Sequence, residues 1–117
     1  MAARILKAST GLTGLPVSQN PRKMLLHLYG LTFESLEKMP ASAAYRKNTE
    51  KILKHRVDIV KSTEDIIQIE KKINCGQIEE IIVQAKNELS LARRMLIWQP
   101  WEPLLGDAPK DQWKWPI

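Results

Sequence analysis

Residues 78–98 read IEEIIVQAKNELSLARRMLIW, and their spacing decides the fold. Ile78, Ile82, Ala85, Leu89, Ala92 and Leu96 recur at intervals of four, three, four, three and four, the pattern of a helix that buries one seam against other helices. Glu79 and Glu80 fall in its first turn, where the helix dipole favours carboxylates. In front of it, Asn74-Cys75-Gly76 supplies a left-handed stop for whatever precedes. Beyond Trp98, Pro100 and Pro103 forbid further helix. Val83, Leu91 and Trp98 lie on the face roughly opposite the seam, with Met95 at its edge. One helix of a bundle does not need two apolar faces, so either the C-terminal tail or another protein has to cover the second.

Towards the N-terminus, a second helix is expected from about Ser42 or Ala43, with Tyr45, Ile52, Leu53, Val57, Ile59 and Val60 on its apolar arc. Ser62-Thr63-Glu64-Asp65 resembles a capping box, so this helix either continues through to Ile73 or breaks and restarts before Ile66. Arg56 falls inside the apolar arc, where a guanidinium must find Glu88, a carboxylate on another protein, or water. A first helix should begin at Asn20-Pro21, an N-cap followed by proline at the first helical position. Met24, Leu25, Leu28, Tyr29, Leu36 and Met39 form its apolar face, Pro40 ends it and Gly30 weakens it. Three such segments joined by short turns give an all-α chain, an antiparallel three-helix bundle over residues 20–98.

Gly11, Gly14 and Pro16 keep residues 1–19 out of a long helix, and an extended N-terminal arm is expected there. Arg4, Lys7, Arg22 and Lys23 precede the first acidic residue, Glu34, which is either transit-like composition or the chance makeup of a short arm. Residues 99–117 form an irregular Trp/Pro-rich tail. All four tryptophans lie between Trp98 and Trp115, interleaved with Pro100, Pro103, Pro109 and Pro116. A proline-stiffened segment loses little entropy on docking and tryptophan is favoured at binding hot spots, so the tail suits a strap laid over a surface. For Trp98 and Trp101, capping the open end of the bundle is an equal alternative. Arg56, Val83, Leu91, Met95, Trp98, Trp101, Trp113 and Trp115 are therefore the candidate interface residues.

Composition narrows the chemistry. Within 117 residues, 44% hydrophobic content allows one modest core, and a net charge of +5 favours anionic partners without requiring nucleic acid. No apolar run approaches the roughly 20 residues needed to span a bilayer. With a single cysteine there is no disulfide framework and no multi-cysteine zinc site. His27 lies on a polar face and His55 in a basic stretch, neither beside a plausible triad, and no HExxH, Walker or GxGxxG motif occurs. No catalytic, cofactor-binding or metal-ligating residue is expected. Lys47, Lys51 and Lys54 form a basic stripe that could serve an RNA-binding or adaptor module, but it lacks interleaved aromatics and is interrupted by Glu50 and Asp58.

Gly14-Leu15-Pro16-Val17, Asn20-Pro21-Arg22, Ala43-Ala44-Tyr45-Arg46, Gly76-Gln77-Ile78-Glu79-Glu80, Pro100-Trp101-Glu102-Pro103 and Asp111-Gln112-Trp113-Lys114-Trp115-Pro116, in this order and spacing, resemble the alpha-subcomplex subunit 5 family of mitochondrial complex I. The resemblance runs from about Gly11 to Ile117. Cys75 departs from it, standing where relatives often carry the first of two glycines. The resemblance implies a helical accessory subunit without a redox centre, peripheral to the inner mitochondrial membrane on its matrix side. It further implies docking on the peripheral arm of NADH:ubiquinone oxidoreductase beside the 30 kDa core subunit of the quinone module and near alpha subcomplex subunit 10. It assigns no catalytic residue.

Overall fold

The computed structural model describes residues 7–114, which fold into four helices with no strand among the described residues. They are α1 (Pro21–Glu37), α2 (Ala44–Ser62), α3 (Ile66–Ile73) and α4 (Ile78–Trp98). The expectation of three helices is corrected here, because the middle one breaks at Thr63-Glu64-Asp65. Thr63 takes an extended conformation, its hydroxyl accepts the Lys72 ammonium at 2.8 Å, and Asp65 starts α3 by accepting the Ile67 N–H at 3.1 Å. The cap is therefore the last residue of the expected box.

Helix α1 starts at Pro21 with Asn20 before it, but the Asn20 side chain makes no capping bond. Asn74 ends α3 with a φ of 58° and Gly76 follows at 87°. A Cβ at Gly76 would overlap the Glu80 carboxylate, which reaches back to the Gln77 N–H at 2.8 Å. Glu70 accepts the neighbouring Ile78 N–H at 2.6 Å, so two donors at the head of α4 are satisfied by carboxylates.

Packing follows the seam. Ile78, Ile82, Ala85, Leu89 and Ala92 are buried together with Ile81, against Leu25, Leu28, Tyr29 and Leu36 of α1. Met39 after α1, Leu53, Ile59 and Val60 of α2 and Ile69 of α3 complete the core. Thr32, fully buried, satisfies its hydroxyl on the Leu28 carbonyl at 2.9 Å. The N-terminal ends of α1 and α4 lie together, since the Ser18 N–H binds Glu79 at 3.1 Å, and the two helices run parallel with the most extensive contact in the fold. Helix α2 runs antiparallel to both: Arg22 at the head of α1 donates to the Val60 carbonyl at 2.9 Å. The backbones of α2 and α4 make few close approaches, and long side chains bridge the space between them.

Candidate functional site

That space is a groove of about 400 Å³ between α2 and α4, and Arg56 stands in it. The helical wheel that places Arg56 among apolar residues turns it towards α4, but Glu88 does not receive it. One Glu88 oxygen is taken by the Tyr45 hydroxyl, and burial, reinforced by this bond to a carboxylate, raises the Tyr45 pKa well above 10. Arg56 instead donates to Gln84 Oε1 at 3.2 Å and makes a weak contact with Cys75 Sγ at 3.5 Å. No carboxylate lies within ion-pair distance of it among the described residues. Beneath it the Tyr29 hydroxyl is buried without a hydrogen-bond partner. Burial pushes that phenol above its ordinary pKa, outweighing the nearby Arg56 charge. Ile52 and Leu91 flank the groove, Ile52 more than half exposed.

The other candidate interface residues do not join this groove into one patch. Val83 turns to the opposite side of α4, towards the arm. Met95 is half-buried and packs on the core, as does Trp101, which folds back from the tail. Trp98 is 59% exposed and Trp113 90% exposed, while Trp115 lies outside the described residues. Between them Leu104 and Leu105 are also bare. The stripe opposite the seam is thus split between two sides of α4, with a separate apolar surface along residues 98–113.

The sequence leads to the expectation of an arm but gives no sign of its attachment to α4. Residues 7–20 carry no helix but are fastened to the head of α4: Lys7 donates to Gln77 Oε1 at 2.7 Å, and the Gln77 amide donates to the Thr10 carbonyl at 2.8 Å. Glu79, read from the sequence as a dipole partner, is buried and in ion-pair contact with Lys7. Its burial opposes ionisation, but Lys7 and two backbone N–H groups hold its pKa below the usual value. Nothing in the local pattern could have shown this, because the partners are roughly sixty to seventy residues apart.

Lys47, Lys51 and Lys54 are exposed, with no aromatic ring set among them. No group of three or more His, Cys, Asp or Glu that could hold a metal occurs among the described residues, and no described helix is long and apolar enough to cross a membrane.

Residues 14–80 match the family described as the ETC complex I subunit conserved region. The chain is 49% identical over 115 residues to NADH dehydrogenase (ubiquinone) 1 alpha subcomplex subunit 5 of Bos taurus, a match covering 98% of this chain and 99% of that one. A probable subunit 5 of Caenorhabditis elegans is 46% identical over 95% of this chain and 74% of its own. A probable mitochondrial subunit 5 of Arabidopsis thaliana is 40% identical over 89% of this chain and 66% of its own.

Proposed function

The chain belongs to the alpha-subcomplex subunit 5 family of mitochondrial complex I, and on that premise we propose that it is a non-catalytic accessory subunit stabilising the matrix-facing peripheral arm of NADH:ubiquinone oxidoreductase near the quinone-binding module. The observation that supports this most is the end-to-end match with relatives that carry the subunit's name. A helical body with exposed apolar side chains at Leu91, Trp98, Leu104 and Trp113 agrees with it, because a free protein gains nothing from exposing them.

Its work is interface burial. Arg56 offers a guanidinium with no ion-pair partner among the described residues, and a facing subunit can supply one between Ile52 and Leu91. Residues 99–117 serve as a docking tail, with Trp113 and Trp115 as anchors. At about 25 cal/mol per Å² of apolar area such contacts contribute many kcal/mol gross, most of it offset by the cost of ordering the tail. The 30 kDa core subunit of the quinone module and alpha subcomplex subunit 10 are the expected neighbours, and the location is the matrix face of the inner membrane. Electron transfer belongs to other chains.

Chemical cross-linking of isolated complex, read by mass spectrometry, tests this reading. Cross-links from residues 98–114 to the quinone-module subunits are expected, and Trp113→Ala should reduce incorporation while leaving helix content unchanged. Absence of the chain from the complex would overturn the reading.

A further inference from the structure

A cavity of about 610 Å³ lies outside the α2–α4 groove. It lies on the other side of α4, in a cleft whose third wall is the arm. The arm is held there by the Ser18 N–H bond to Glu79 and by Gln77 on Thr10, so residues 15–19 stand as a fixed rim beside the first turns of α1 and α4. Leu15 and Val17 from the arm, Met24 from α1, and Ile82 and Val83 from α4 make the walls largely apolar. Met24 and Val83 are about 40% exposed, although the first belongs by its spacing to the core face of α1.

The unpaired charges around this cleft have one sign. Lys23 and His27 line it from α1 and Lys86 from α4, and neither lysine has an ion-pair partner among the described residues. Glu79 is the one carboxylate in the lining, and Lys7 already balances it. Two uncompensated ammonium groups therefore stand on opposite walls of an apolar trough. A single-headed anionic amphiphile would satisfy one wall. A helix whose apolar stripe is bordered by carboxylates satisfies both, in the helix-in-groove mode of recognition.

We propose that this cleft between the arm, α1 and α4 seats an acidic amphipathic helix of a neighbouring subunit, its apolar side chains against Met24, Ile82 and Val83 and its carboxylates on Lys23 and Lys86. The inference rests on the accessory-subunit reading and deepens it by adding a second contact face, distinct from the Arg56 groove and the tail. It also gives the arm a role: by closing one side of the trough it makes the seat dependent on the Glu79 clamp.

The test uses the full chain in mitochondria lacking the endogenous copy, with a photo-cross-linking side chain placed at Met24 or at Val83. Both positions should cross-link to the same neighbouring subunit, within a peptide rich in Asp and Glu. In a second arm, Lys23→Glu with Lys86→Glu should lower the fraction of chain in the assembled complex about tenfold, since juxtaposed like charges repel strongly, while the circular dichroism of the purified variant stays native. Lys23→Gln with Lys86→Gln should have a smaller effect. Cross-links to lipid or to residues 99–117 of the same chain, no protein cross-link at all, or full incorporation of the charge-reversed variant would overturn the inference. If the unmodified chain does not enter the complex, the accessory-subunit reading falls as well; if it enters and the variants enter equally, this inference falls alone.

Discussion

Replacing Glu79 by Gln tests how the arm is held. The carboxylate is 3% exposed, accepts the Ser18 N–H at 3.1 Å and contacts the Lys7 ammonium. Glutamine keeps the shape and one acceptor but loses the charge. A hydrogen bond to a charged group contributes about 1.5–3 kcal/mol, and the bond to Ser18 would survive in weakened form. Lys7 is a third exposed, so solvent screening limits its share to about 1 kcal/mol or less. Together these give a loss of about 2 kcal/mol at neutral pH. The sign with pH follows from the depressed carboxyl. Its folded-state pKa lies below the ordinary 4.5, so the stabilisation is present above the unfolded value and disappears as pH falls through the folded one. Urea unfolding of both proteins over a pH series should show the widest gap near neutrality and a closing gap in acid, with faster hydrogen exchange at the Ser18 amide in the variant. Equal stability at neutral pH, or a gap that persists unchanged into acid, would refute the clamp.

Gly30 is exposed in α1 and a Cβ there meets nothing within 4 Å, so Gly30→Ala should stabilise the chain by about 0.5–1 kcal/mol in denaturant titration. Ile81 is fully buried, and Ile81→Ala should cost about 2–5 kcal/mol by the same measurement, through lost transfer energy and an unfilled cavity. Both tyrosines are held above the ordinary 10.0, by burial first and, for Tyr45, by its bond to Glu88. Alkaline absorbance titration should therefore show less tyrosinate at pH 10.0 in the folded chain than in the unfolded chain, which is about half ionised there. Because the protonated phenols are favoured in the folded state, stability should decline as pH rises above that value.

The seam of α4 could be read from spacing because Ile78, Ile82, Ala85, Leu89 and Ala92 all face α1 and are buried, although Ile81 and Glu79 beside them are buried too. Broader arcs misled. Met24 and Ile52 satisfy the wheel on α1 and α2, yet each lies at the margin of its arc, beyond the reach of the facing helix, and stays exposed. Sequence does not decide the break at residues 63–65, since Thr, Glu and Asp can continue a helix or cap one. The Lys72 bond to Thr63, a tertiary contact, accompanies the break. Arg56 needs a partner by its place on the wheel, but its actual neighbours, Gln84 of α4 and Cys75, are uncharged and give no signal of pairing in the sequence. The arm's return to α4 was wholly hidden, because an acid-free stretch with glycine and proline says only that no helix forms there.

Membership of complex I can be measured by native-gel fractionation of detergent-solubilised mitochondria. The chain is tagged and NADH dehydrogenase activity is stained in the same lanes. The tag should comigrate with the active high-mass band. A tag found only in a free, low-mass band would contradict it and return attention to the Lys47, Lys51 and Lys54 stripe.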